Sequence, residues 1–240
     1  MRKLLFLSAV LIFGLASCDK NEEYPTTRVN APEGVVIDGV RWATRNVGAP
    51  GTFVENPEDA GMLFQWNRLR GWAATGNLFD CDCSRSPDCT RCDWNPYPEP
   101  GIEWEEENNP CPEGWRVPTF VELESLNSTM AIWATKNRVG GMLFGTAPDQ
   151  IFLPAVGMRN VIGEPRNDSF RGNYWGSDIR IIDDYTIETE FAAALSFWKT
   201  PAGTPMVGIG APPLKEDKIH HLISSAHRAI GLNVRCVAID

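Results

Sequence analysis

Histidine is scarce: three in 240 residues, His220, His221 and His227, all in one late segment. Adjacent histidines on a strand point to opposite faces, so His220 and His221 make a poor metal pair, and solvated loop positions suit them better. No H-E-x-x-H, G-x-S-x-G or phosphate-loop motif occurs, which removes the common zinc-hydrolase, serine-hydrolase and nucleotide signatures. Carboxylates are plentiful, Asp183 with Asp184 for example, yet nothing in the sequence sets two of them across a cleft as glycoside hydrolysis requires. No Lys/Arg-rich run appears and the formal charge is −9, so nucleic acid is a poor partner. Internal repeats and low-complexity tracts are missing as well. These absences leave no catalytic residue, no metal ligand and no cofactor to name.

What is present begins at the N-terminus. "MRKLLFLSAVLIFGLASC" places Arg2 and Lys3 before an apolar run, Leu4 to Leu15, and small residues before Cys18. That is the layout of a secretory signal over residues 1–17. The run is shorter than the ~20 residues a bilayer crossing needs, and no later stretch is long and apolar enough to span. "LASC" resembles a lipobox, which implies cleavage before Cys18 and lipid on its sulfur: an anchored chain, not a spanning one. The alternatives are an ordinary signal with a chance cysteine, or a buried N-terminal helix. Residues 18–33 read as a polar tether. Its acidic start, Asp19 with Glu22 and Glu23, resembles the export tags of surface lipoproteins of Bacteroidota.

The chain has seven cysteines. Lipidation uses Cys18 and leaves an even set in an oxidising compartment, where thiolates become disulfides. "CDCSRSPDCTRC" holds Cys81, Cys83, Cys89 and Cys92, whose spacing alone also suits a zinc knuckle. Compartment favours bridges. Cys81 and Cys83 are too close along the chain to bond each other without strain. Cys81–Cys92 with Cys83–Cys89, or the crossed pairing, both remain open.

The 21 Gly, 18 Pro and 9 Trp, spread between short apolar runs, argue for many turns and short strands. Val35–Ile37 and Val40–Ala43 flank Asp38-Gly39 as a hairpin. "GMLFQWN" is a further strand. Thr119 and Glu122 form a capping-box pattern, and Val121, Leu123 and Leu126 give the helix behind it an apolar face to about Leu126. "TMAIWATKN" is expected to hold a second short helix. "GMLFG", "IFLPAVGMR", "FAAALSFW" and "LNVRCVAI" read as strands, and "PAGTPMVGIGAPPLKEDK" as loop. Few helices among many strands give an α+β class weighted towards β, in one domain over residues 34–240.

The order of the pieces "IDGVRWATRNVGAPGTF", "GMLFQWN", "NPCPEGWRVPTFVEL", "IFLPAVGMR", "NYWGSD" and "VRCV" resembles the Fibrobacter succinogenes major paralogous domain, over roughly Val35 to Val237. That family is similar to C-type-lectin-like domains, which implies paired N- and C-terminal strands, a helix packed on them and a long irregular loop region. Within that frame Cys111 stands just before the capped helix and Cys236 in the last strand. A bridge between them would close a loop of over a hundred residues, worth ~4–5 kcal/mol by chain entropy; two buried free thiols are the alternative. Trp42, Trp66, Trp115 and Trp175 fall in family motifs and are expected in the core. Arg116, Arg159 and Arg235 are expected as structural hydrogen-bonders.

One departure is an expanded, Cys-rich segment at about residues 68–110, where the family has a short connection. A long loop of this kind is functional or stapled. Its Trp94, Tyr97 and Trp104, bordered by Asp93, Asn95, Glu99 and Glu103, are candidates for stacking on sugar rings. The alternative is a small satellite core over the disulfides. "EPRND", Glu164 to Asp168, departs from the Glu-Pro-Asn triplet of calcium lectins and reads as a polar turn. The expected protein is a non-enzymatic lipoprotein of the outer membrane, facing the cell surface and binding glycan or protein. The alternatives are a subunit or accessory of a surface assembly such as a fimbria, and an enzyme akin to formylglycine-generating proteins, which needs an unpaired cysteine.

Overall fold

The computed structural model describes residues 34–76, 94–166, 168–183, 186–200, 205–208 and 225–239. The apolar leader, Cys18 and its tether, the four clustered cysteines, His220 and His221 lie outside the described residues. β1 (Gly34–Ile37) and β2 (Val40–Ala43) form the expected hairpin. Asp38 and Gly39 both take positive φ, 49° and 81°, the turn conformation whose twist matches the flanking strands. β3 (Met62–Gln65) pairs with β4 (Gly71–Ala73). A 3-10 turn, Glu106–Asn108, and β5 (Trp115–Arg116) precede the single α-helix among the described residues, α1 (Phe120–Ser128).

α1 starts where its capping box sets it. Thr119 Oγ1 accepts from Glu122 N, and the Glu122 carboxylate accepts from Thr119 N at 2.7 Å. The Asp178 carboxylate accepts from Phe120 N, so a second anion meets the positive end of the helix dipole. The chain then continues as a meander of β6 (Ala131–Lys136), β7 (Val139–Thr146) and β8 (Asp149–Pro154). β6 corrects the second helix expected at "TMAIWATKN". Ile132, Trp133 and Thr135 suit a pleated surface, and Asn137 and Arg138, with φ of 47° and 68°, reverse the chain so that all of β6 pairs with β7.

β9 (Met158–Arg159) and β10 (Pro165–Arg166) are short; β11 (Arg171–Asp183) and β12 (Thr186–Lys199) form a long hairpin. β13 (Pro205–Gly208) and β14 (Ser225–His227) both add to β12. The stretch expected as loop therefore contains a strand, β13. β15 (Gly231–Leu232) and β16 (Val237–Ala238) end the chain. "LNVRCVAI" is thus two strands in two sheets, because the chain crosses from one sheet to the other between them. The sheet orders are β1-β2-β16-β5, β10-β9-β15-β3-β4, β6-β7-β8 and β11-β12-β13 with β14 on β12. The protein is a β-rich α+β fold.

Two apolar cores explain the near-continuous hydrophobic run of β12. Trp175, Ala192 and Ala194 face one core with Phe64, Trp66, Trp104 and Trp115. Their strand neighbours Tyr174, Leu195 and Phe197 face the other, with Ile37, Trp42, Leu123, Leu126 and Phe144. A strand buried on both faces shows no alternation of polarity. Gly172 belongs to this packing, since a Cβ there would meet Phe197 Cζ at 2.1 Å. Cys111 and Cys236 are bonded, with Cα atoms 6.1 Å apart, and lie in the first core. The bridge joins the approach to α1 to the segment leading into β16.

Candidate functional site

β3 ends in Gln65, and the next residues grip three separate parts of the molecule. Gln65 is buried: its Nε2 donates to Asn95 O at 2.6 Å and Ala229 O at 2.8 Å, while Oε1 accepts from Asn95 N at 3.2 Å. Trp66 Nε1 donates to Gly176 O at 3.0 Å, and the Arg228 guanidinium lies 4.6 Å over its ring. Asn67 takes a left-handed φ of 55°, turning the chain outward. Its Oδ1 accepts from Glu105 N at 2.8 Å and Asn108 Nδ2 at 3.3 Å. Glu105 and Asn108 are thereby held against the β3–β4 loop.

Between them opens a cleft of ≈ 290 Å³, whose lining includes Asn67, Arg68, Arg70, Trp72, Glu99 and Asn108. Arg68 and Glu99 form an ion pair, each partly exposed. The Arg70 guanidinium stacks 4.4 Å from the Trp72 ring, whose edge meets Trp94 at 5.6 Å. Arg228 is buried nearby and donates to Gly101 O at 2.9 Å. Burial pulls its guanidinium below the ordinary value while the Glu99 charge pushes it back up. Glu99 therefore lies between two guanidiniums, those of Arg68 and Arg228.

The cleft offers directed hydrogen-bonding groups beside an aromatic surface. A paired guanidinium and carboxylate keep further donors and lone pairs, and two carboxamides supply both kinds of group. The partly buried indole adds an apolar surface. A few directed polar groups around aromatic surface is the general composition of small-ligand sites.

The residues expected to stack on sugar separate into two groups. Trp94 and Trp104 are only 8 % and 9 % exposed, which corrects their expected role. Trp94 Nε1 donates to Val161 O at 2.8 Å and its ring packs on Trp72. Trp104 Nε1 donates to Asn108 O at 2.9 Å, and its ring packs on Trp66 at 5.9 Å inside the first core. Indoles carry large apolar area, and here the scaffold takes it up. Tyr97 is 73 % exposed; its N–H donates to Asn95 Oδ1 at 3.0 Å, two residues before Glu99. Asn67, Arg68, Arg70, Trp72 and Asn108 were missed. The available signal was Gln65, Asn67, Arg68 and Arg70 close together after a strand, with Asn where a left-handed turn is tolerated.

The remaining expected residues are structural. Trp42, Trp66, Trp115 and Trp175 are buried. Arg159 donates to Ala73 O, Thr75 O, Gly76 O and Gly163 O, holding the chain as it leaves β4. Arg116 binds the Glu122 carboxylate through two bonds, at 2.7 and 2.8 Å. Glu164 accepts from Asn160 Nδ2 at 2.9 Å within a polar turn. His227 Nδ1 accepts from Ala229 N, so any proton on the neutral ring is on Nε2. Among the described residues no three His, Cys, Asp or Glu side chains converge on a metal position. None of the described helices is long and apolar enough to cross a membrane. Compared with protein-family models, curated proteins and solved structures, the chain gives no match.

Proposed function

We propose that the chain is a non-catalytic glycan-binding module, held at the outer membrane by lipid on Cys18 and facing the cell surface. The observation that carries this reading is the cleft itself: an Arg68–Glu99 ion pair, two carboxamides and a partly buried indole in one concave site. The scaffold is read as a C-type-lectin-like domain of the Fibrobacter succinogenes major paralogous type. In support, N-terminal β1 and C-terminal β16 share one sheet through β2, α1 supplies Leu123 and Leu126 to the core beside them, and residues 94–105 hold no strand or helix. The lipobox-like "LASC" supports the anchor.

The test is glycan-array binding of the full chain, with Trp72→Ala and Glu99→Gln as cleft variants. Selective binding to a sugar class, lost or reduced about tenfold or more in both variants, supports the reading. Binding of no glycan, or binding indifferent to both changes, removes it; a surface protein captured through the same residues would reassign the ligand. Membrane fractionation of Cys18→Ala examines the anchor separately: the chain is expected to leave the membrane fraction. Thiol counting on unreduced protein separates the module from a formylglycine-type enzyme, since the module has no free thiol.

A further inference from the structure

The cleft between the β3–β4 loop and the chain at Glu99 measures ≈ 290 Å³, the low end of small-molecule sites. A volume of that size takes a ligand of about one ring, not a chain of them. A single sugar ring offers little apolar surface to set against the cost of association. Any further unit lies outside the lining, over the surface beside it.

That surface includes "PYPEP", Pro96 to Pro100. Proline fixes its own φ and biases the residue before it towards extended backbone. Tyr97 precedes Pro98 and Glu99 precedes Pro100, so both stand on a stiff rib. The rib is pinned on each side. The Gln65 carboxamide binds both Asn95 N and Asn95 O, at 3.2 and 2.6 Å, and Asn95 Oδ1 accepts from Tyr97 N at 3.0 Å. Beyond Tyr97, Glu99 pairs with Arg68, and Gly101 O accepts from Arg228 at 2.9 Å. Gln65 and Glu99 both line the cleft, so Tyr97 is bracketed between a residue that the lining holds and one that belongs to it. Two residues of extended chain reach about 7 Å at most, so the Tyr97 backbone lies about one sugar unit from Glu99.

Tyr97 is 73 % exposed, and among the described residues its side chain has no hydrogen bond and no ring contact. Trp94 and Trp104, in the same segment, are taken up by the scaffold. An open ring on a pinned backbone has only its two side-chain torsions left to order, which keeps the cost of binding low. We propose that Tyr97 is a second sugar subsite, so that the cleft recognises a glycan chain and not a single sugar. One ring is held at Arg68, Glu99 and the carboxamides, and the next stacks on the face of Tyr97. This rests on the glycan reading of the cleft and adds to it the length of the ligand and a contact outside the lining.

The experiment measures binding of the full chain to homo-oligomers of glucose, mannose, galactose, xylose and N-acetylglucosamine, each as a series from the single sugar to the tetramer. Parent, Tyr97→Ala, Tyr97→Phe and Trp72→Ala are compared. Parent affinity for the recognised sugar is expected to rise about tenfold or more from single sugar to trimer. Tyr97→Ala is expected to flatten that rise, and Tyr97→Phe, which keeps the ring, to preserve it. The Tyr97–Asn95 bond is made by the main chain, and an exposed side chain is replaced at little cost to folding. Trp72→Ala should weaken every member of the series. Binding that does not grow with length, or a rise that Tyr97→Ala leaves intact, overturns the second subsite and leaves the cleft reading in place. Equal loss in Tyr97→Phe and Tyr97→Ala overturns the stacking in favour of a hydroxyl contact. Binding of no member of any series overturns the inference, and silence of the wider glycan array as well removes the cleft reading with it.

Discussion

Arg235 is 1 % exposed, and its guanidinium reaches Asn46 Oδ1 at 2.7 Å, Phe152 O at 3.0 Å and Ala43 O at 3.2 Å. Burial pulls it down to about 10, and burial pushes the Tyr174 hydroxyl beside it up to about 12; at neutral pH the first stays charged and the second neutral. Two segments, one at Ala43 and Asn46 and one at Phe152, are tied to the approach to β16 by one planar donor set, a use that lysine's point charge does not serve. Glu122 is partly buried and shows a clearer pH dependence. Burial pushes its carboxyl up, but the bonds and charge of Arg116 and the bonds at Thr119 outweigh this and leave it below the ordinary value. A lowered folded value contributes stability above the unfolded carboxylate pKa and loses it as pH falls towards the folded one. Glu122→Gln is therefore expected to cost about 1 kcal/mol at pH 7, with the gap to the parent closing below about pH 4. Urea unfolding from pH 7 to pH 3 measures it; a gap constant with pH would refute the ionic share. The capping pair was legible because cap and carboxylate stand three residues apart. Asn46 lies 189 residues from Arg235, and no local pattern names such a partner.

At the scale of elements, local chemistry identified turns better than it separated helix from strand. Asp38-Gly39 signalled its hairpin outright, whereas "TMAIWATKN" offered a short apolar run that periodicity alone does not assign. Pairing with β7 decides it. The turn that makes that pairing possible contains Arg138 at φ 68°, a conformation that costs a residue with a Cβ about 1 kcal/mol or more. Arg138→Gly is accordingly expected to raise stability by about 1 kcal/mol in denaturant titrations; a loss of similar size would place the chain reversal elsewhere. The candidate cleft follows the same division. The acidic and aromatic content of residues 94–107 was plain in the sequence. Which aromatic faces remain open was not, because the cover over Trp94 and Trp104 comes from Val161, Trp72 and Trp66, on other strands and loops.

At the scale of the whole molecule, the outer layers depend on long connections. Among the described residues, four small sheets and one nine-residue helix have little local stability of their own, since short helices and isolated hairpins are marginal in water. Their ends are brought together by contacts far apart in sequence, and the covalent member of that set is Cys111–Cys236, with a separation of 125. Its contribution falls mainly on the unfolded chain, which it denies a large share of its extended conformations. Replacing both residues, as in Cys111→Ala with Cys236→Ala, should lower stability by about 2–5 kcal/mol. The near-UV spectrum of the folded state should change little, because both positions are already enclosed by Trp115, Val117 and Val234. The denaturant slope should rise at the same time, since an unlinked chain exposes more surface on unfolding. Equilibrium urea unfolding of parent and variant, at matched pH and without reductant, gives midpoint and slope together. An unchanged midpoint would mean that the buried polar ties around Arg235 and Arg159 already hold the two ends of the domain, with the bridge adding nothing.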